Sequence, residues 1–154
     1  MIAHELMIGD WVLFHDSGWD SDGTKWHEDR ICRIVSLGDG PRLEWTDDGE
    51  REEWPHASYC DIEPIPLTSG ILEANGFRKF NFQDIEKQHQ WRWWLNKLAS
   101  VSLWCRELND DPKDGWMIRI ESRDASCSCR IVSVHELQHT LHICKIDKEI
   151  NLEE

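Results

Sequence analysis

Along the first 66 residues, short apolar runs are separated by turn-forming residues at intervals of about ten. Ile8-Gly9-Asp10-Trp11-Val12-Leu13-Phe14 opens on a Gly-Asp turn and continues in β-formers, which predicts a first strand. A polar loop containing Gly18, Gly23 and four aspartates is expected next, and Arg30-Ile31-Cys32-Arg33-Ile34-Val35 reads as a second strand. After the Gly38-Asp39-Gly40-Pro41 turn, Leu43-Glu44-Trp45 alternates apolar and polar; Asp47-Asp48-Gly49 is a hairpin signal leading into Glu52-Glu53-Trp54. Pro64 and Pro66 then confine Asp61 to Pro66 to an edge, because proline cannot donate to a central ladder.

The second half begins with Thr68 as the cap of a helix over 69–75, and Gly76 supplies the left-handed residue just past its end. Residues 84–98 fit a strand through Trp91, Trp93 and Leu95, or a helix through Trp91, Trp94, Leu95 and Leu98; we favour the strand. Val101, Leu103 and Cys105 alternate, as do Trp116, Ile118 and Ile120, and then Cys127, Cys129 and Ile131, which predicts an antiparallel meander of three or four strands. A final helix from about Ser133 to Lys145 carries Val134, Leu137, Leu141 and Cys144 on one face. The expected fold is α+β: a small Src-homology-3-like acidic β-barrel over 1–66, then an antiparallel β-meander flanked by two helices over 67–154.

The 154 residues include ten tryptophans and can bury a core, as one domain or as two small ones. No apolar run approaches the roughly 20 residues that span a bilayer, and the first residues lack the basic-then-apolar pattern of a secretory signal. A cytoplasmic protein with no membrane attachment is expected, and its six cysteines read as reduced thiols, mostly in the core. Charge is uneven: residues 1–66 hold 16 Asp/Glu against 5 Lys/Arg, residues 67–154 hold 14 against 12. The first half would repel phosphate, which disfavours nucleic acid and makes a protein with a basic surface the expected partner.

One string names a chemistry. His135-Glu136-Leu137-Gln138-His139 is the H-E-x-x-H pattern in which two imidazoles one helical turn apart hold zinc and the glutamate serves as general base. Chance yields that pattern at ~0.04 per chain of this composition. A catalytic zinc needs a third protein ligand, and His142 lies seven residues from His135, about 10.5 Å along a helix, too far to share a metal already held by His139. Helix phase sets His135, His139 and His142 nearly opposite the apolar face, where they would face water. The stretch also looks like the H-E-L-G-H segment of phage-repressor-cleaving peptidases, with Gln138 in place of the glycine.

Three stretches together resemble a family of short, uncharacterised proteins of phages, prophages and mobile elements of Bacteroidetes-type bacteria. They are Glu5-Leu6-Met7-Ile8-Gly9-Asp10-Trp11-Val12, the Ile62-Glu63-Pro64-Ile65-Pro66-Leu67-Thr68 junction with Asn75-Gly76-Phe77, and Val134-His135-Glu136-Leu137-Gln138-His139-Thr140-Leu141 running on to Ile150-Asn151-Leu152. In that family the last stretch often reads V-H-Q-L-Q-N-L, keeping neither the glutamate nor the second histidine. The resemblance therefore implies a structural helix.

The remaining constellations are weaker. Asp20, Asp22, Gly23 and Asp29 approach calcium-loop spacing, but Gly18 stands at the first ligand position, so a surface loop is expected. Trp19 and Trp26, beside Asp20 and Asp22, are read as exposed anchors for a basic protein surface. Cys127 and Cys129 share a strand face and read as core thiols rather than metal ligands. The expected function is non-enzymatic: an accessory or interaction protein of a phage or mobile element that engages a basic host protein, with no cofactor and no bound metal. The alternatives are a zinc-dependent hydrolase using His135, Glu136 and His139, and nucleic-acid contact through Arg92, Arg119 and Arg130 beside tryptophans.

Overall fold

The structure is a computed structural model, and it describes residues 6–80, 89–96, 99–105, 115–121 and 126–152. The chain divides into two compact units, Met1–Ile65 with Leu152–Glu154, and Pro66–Asn151. The fold is α+β, and the described residues form antiparallel strands in two five-stranded sheets and two helices. Among the described residues no helix is long and apolar enough to cross a membrane.

The first sheet consists of β1 (Trp11–Trp19), β2 (Lys25–Ser36), β3 (Arg42–Asp47), β4 (Glu50–Trp54) and β5 (Ile62–Pro64), in the order β4-β3-β2-β1-β5. It does not close into a barrel among the described residues. Strand alternation builds its core: Val12 and Phe14 from β1, Cys32 and Ile34 from β2, Leu43 and Ile62 join Leu6 and Ala57, with Trp45 and Tyr59 packed against them. The Asp47-Asp48-Gly49 signal gives a two-residue hairpin loop between the paired Asp47 and Glu50. Both central residues are left-handed, Asp48 at φ 47° and Gly49 at φ 83°, as the right-handed twist of the flanking strands requires. A 3-10 turn, Tyr59–Asp61, leads into β5, and Tyr59 Oη donates to Gly38 O at 3.0 Å.

The expected polar loop between the first two strands is instead strand. β1 runs on to Trp19 and β2 starts at Lys25, and the two pair residue for residue from Trp11↔Arg33 to Trp19↔Lys25. Beyond the core this ribbon is polar on both faces, so no hydrophobic alternation marks it in the sequence. The first strand starts at Trp11, directly after the expected Gly-Asp turn, with Ile8 exposed before it.

In the second unit, α1 (Ser69–Ala74) is capped by Thr68, whose Oγ1 accepts from Ile71 N at 3.3 Å, and Gly76 at φ 80° follows it. The second sheet holds β6 (Arg78–Phe80), β7 (His89–Asn96), β8 (Ala99–Cys105), β9 (Trp116–Glu121) and β10 (Ser126–Ile131) in the order β10-β9-β8-β7-β6. Residues 89–96 are thus strand, the favoured reading; 84–88 and 97–98 lie outside the described residues. The sheet has one strand more than expected, because Arg78-Lys79-Phe80 is too short to show a period.

The last helix, α2 (Val134–Ile143), buries Val134, Leu137 and Leu141. It lies on the β9 and β10 face that carries Cys127 and Cys129: Cys127 Sγ is 3.5 Å from Cys144 Sγ, and Cys129 Sγ is 4.0 Å from Thr140 Oγ1. Trp116 is fully buried and its Nε1 donates to Leu67 O at 2.7 Å, which satisfies the one polar atom of that ring. The expectation of core thiols is corrected: among the described cysteines only Cys32 is buried, while Cys60, Cys127 and Cys129 are exposed. Cys127 and Cys129 sit on an outer strand whose helix covers them only in part.

Candidate functional site

The residues expected to anchor a partner all lie at the end of the β1–β2 hairpin. Trp19 is 72% exposed and ends β1, and Asp20 and Asp22 are exposed in the turn that follows. Asp22 Oδ1 accepts from Thr24 N at 3.0 Å, which closes the turn and lowers the Asp22 pKa. Trp26 differs from its expected exposure. It pairs with Gly18 and is half-buried, with its ring lying where a Cβ on Gly18 would come within 2.7 Å of ring carbon Cζ2. Trp19 belongs to one face of the ribbon and Trp26 to the other, so one flat partner surface cannot take both.

A better-formed site opens between β2 and β3. These strands pair only at Arg33↔Glu44, Ile34↔Leu43 and Ser36↔Arg42, with a bulge between Ile34 and Ser36. Past Arg33 and Glu44 they part, and the fork between them is a groove of about 510 Å³. Glu28, Arg30 and Ile31 form one lip, Trp45, Thr46, Asp47 and the Asp48-Gly49 turn form the other, and Trp11 and Leu152 complete the lining. Its apolar part is two indoles, an isoleucine and a leucine; its charged part is three carboxylates against one guanidinium.

That guanidinium organises the fork. Arg30 Nη1 donates to Asp16 Oδ2 at 3.0 Å, its Nη2 pairs with Glu28, and its Cζ stands 5.1 Å above the Trp45 ring. The Asp16 side chain is only 7% exposed, so its charge is taken up by Arg30 rather than by water. Outside the groove, Arg42 of β3 binds Glu53 of β4 through Nη2 at 2.7 Å and Nε at 3.1 Å, which lowers the Glu53 pKa. Glu44, also buried, pairs with Arg51.

The H-E-x-x-H residues have other employment. Ser133 is the N-cap of α2, and Glu136 completes a capping box: its Oε2 accepts from Val132 N at 2.5 Å and from Ser133 N at 3.3 Å, while Ser133 Oγ accepts from Glu136 N. The expectation that the histidines face water is corrected for His135, which is 6% exposed with its Nδ1 3.0 Å from Ser133 Oγ. A hydrogen-bonded ring in the first helical turn can be buried at little cost. His139 meets it edge-on, with ring centroids 5.6 Å apart.

Three arginines of the second sheet, Arg78, Arg92 and Arg119, fall on one cross-strand row. Arg119 pairs with Ser128 on one side and Ser102 on the other, Ser102 pairs with Arg92, and Arg92 pairs with Arg78. Arg130 stands two residues along from Ser128, and Arg119 Nη2 is tied to Glu121 Oε1 at 2.9 Å.

The fork escaped sequence reasoning because it depends on where two strands stop pairing, which no local pattern encodes. Comparison of the chain with protein-family models, curated proteins and solved structures gives no match.

Proposed function

We propose that this chain is a non-enzymatic accessory protein of a phage or mobile element that holds a basic segment of a protein partner in the fork of its first sheet. The observation that carries the reading is the fork's composition: Trp45 and Ile31 offer apolar area to the stems of Lys or Arg side chains above the buried Trp11, while Glu28, Asp47 and Asp48 rim it with negative charge. The −11 balance of residues 1–66 favours the same partner, since it steers a basic surface toward this unit. We read the sheet order β4-β3-β2-β1-β5, with a 3-10 turn leading to β5, as a Src-homology-3-like arrangement that leaves the fork at its open side. The exposed Trp19 would add a second contact at the hairpin end. The use of Glu136 as a helix cap supports the non-enzymatic reading, because a capping carboxylate is not directed at a metal-bound water.

Calorimetric titration with a short Lys/Arg-rich peptide tests it. Binding should weaken as salt rises, because screening beyond a Debye length of about 8–10 Å removes most of the attraction. Asp47→Asn with Asp48→Asn should weaken it about three- to tenfold; asparagine tolerates the left-handed backbone at position 48, so the turn survives. No heat with the wild-type chain, or equal affinity for the double variant, would remove the fork as the site.

One observation supports a second reading. Arg78, Arg92 and Arg119 occupy a single cross-strand row of the second sheet, and arginines are common partners of phosphate oxygens. That reading requires duplex or single-stranded DNA binding with a steep salt slope that is lost in Arg119→Ala.

A further inference from the structure

The face of the β1–β2 ribbon that carries Trp19 also holds a cluster independent of the fork. His15 on β1 stands directly opposite Asp29 on β2, and His27 stands opposite Ser17, two residues further along the same face. His15 Nδ1 is 2.7 Å from Asp29 Oδ1, and His27 Nε2 is 2.9 Å from the same oxygen. The two imidazoles lie nearly parallel, 16° apart with centroids at 5.8 Å. On the other side of β1, Glu63 of β5 places Oε2 3.4 Å from His15 Nε2. Among the described residues this is the one group of three or more His, Cys, Asp or Glu whose donor atoms all lie within 4.8 Å of one another.

We propose that His15 Nδ1, His27 Nε2 and Asp29 form a site for a divalent transition-metal ion of the zinc class, with Glu63 as the positioning residue for His15. Two imidazoles and a carboxylate suit zinc, nickel or copper, whereas calcium and magnesium take oxygen ligands. Zinc bonds of about 2.0–2.2 Å in a tetrahedron set ligand atoms about 3.3 Å apart. The present 2.7 and 2.9 Å separations need to open by about half an ångström, and the two imidazole nitrogens, which lie within 4.8 Å of each other, must take up the same spacing. Cross-strand pairing fixes the backbones of all three ligands, so little ordering remains for the ion to impose. A carboxylate on the far ring nitrogen is the usual outer partner of a metal-bound imidazole: it selects the tautomer that leaves Nδ1 free to bind. The side chains of His27 and Asp29 are 57% and 49% exposed, so an ion can enter from solvent and water can complete its shell. The bound ion would tie β1 to β2 beyond the hydrophobic core, on the face of the ribbon opposite Trp26.

The test is calorimetric titration of the full chain with zinc chloride, together with ring-nitrogen NMR of the histidines. We expect one equivalent of zinc, with affinity lowered at least tenfold in His27→Ala and in Asp29→Asn, and with His15 and His27 ring signals moving on addition. Both variants alter exposed groups, and circular dichroism without metal checks that they fold. Glu63→Ala should weaken binding by about ten- to a hundredfold, and Glu63→Gln, which keeps an acceptor oxygen, should restore most of it. Absence of zinc uptake at micromolar concentration would overturn the proposal. So would uptake that survives His27→Ala and Asp29→Asn but is lost in His139→Ala or Cys127→Ser, which would place the ion at the last helix. The outcome is separable from peptide binding, because none of these residues lines the fork.

Discussion

The side-chain amide of Asn75 brackets the backbone of Asn151. Asn75 Nδ2 donates to Asn151 O at 2.9 Å, and Asn75 Oδ1 accepts from Asn151 N at 2.8 Å; the same Nδ2 also reaches Ile71 O at 3.0 Å. The end of α1 thereby anchors the segment that follows α2, using one amide as donor and acceptor at once.

Asn75→Asp should therefore destabilise more than Asn75→Ala. Alanine removes three hydrogen bonds, but Asn151 is exposed and water can replace its partners, for a cost of about 1–2 kcal/mol. Aspartate sets an oxygen against Ile71 O and Asn151 O and carries a charge at a position only 7% exposed, which adds to that cost. Urea unfolding of the two variants measures the order; an aspartate variant as stable as wild type would show that the clasp contributes nothing.

Arg30 binds Asp16 through Nη1 and stands over Trp45, and its removal should cost about 2–4 kcal/mol, since the Asp16 carboxylate would remain without its counter-ion in a nearly enclosed place. Adding Asp16→Asn to Arg30→Ala should recover part of that loss. A double-mutant cycle reads the coupling directly, and additive effects would mean the pair is not coupled.

Which parts of this fold can be read from sequence follows from how local their causes are. Asp48-Gly49 announces its hairpin because two consecutive left-handed residues are needed there, and Thr68 with Gly76 marks both ends of α1. The outer β1–β2 ribbon is hidden, because His15, Ser17, His27 and Asp29 on one side and Asp16, Gly18 and Glu28 on the other give it two polar faces. Its pairing rests on register continued outward from Val12↔Cys32, where both residues are in the core. The metal-ligand cluster is invisible for the same reason: His15 and Asp29 are fourteen positions apart and meet only through that register. The burial of His135 eluded helix phase, since phase ignores the Ser133 hydroxyl that partners its ring.

The capping box makes a distinction at Glu136 that a catalytic role would not. Glu136→Gln keeps an acceptor for the Val132 and Ser133 amides and should leave stability within about 0.5 kcal/mol, whereas Glu136→Ala should cost about 0.5–1 kcal/mol and Ser133→Ala about 1 kcal/mol. Thermal unfolding compares the three. Equal losses for glutamine and alanine would mean that the charge rather than the hydrogen bond sustains the helix start, through the dipole.

The thiols should separate by burial and by pH. Burial pushes the Cys32 thiol up to about 12 with no exposed surface, so it should react with iodoacetamide only when the first unit unfolds. Cys144 is pushed up to about 11, first by burial and then by its contact with Cys127, although its side chain is still partly reachable. At pH 8 its thiolate fraction is lower than that of an ordinary exposed thiol on the order of a hundredfold, and its labelling rate should climb about tenfold per pH unit until near 11. Cys127→Ser should bring that midpoint down only in part, because burial is the larger cause. Site-resolved mass spectrometry of labelled peptides follows each cysteine separately. If Cys144 is modified as fast as the exposed Cys60 at pH 8, then α2 does not stay seated on β10 and the 3.5 Å contact between Cys127 and Cys144 does not persist in solution.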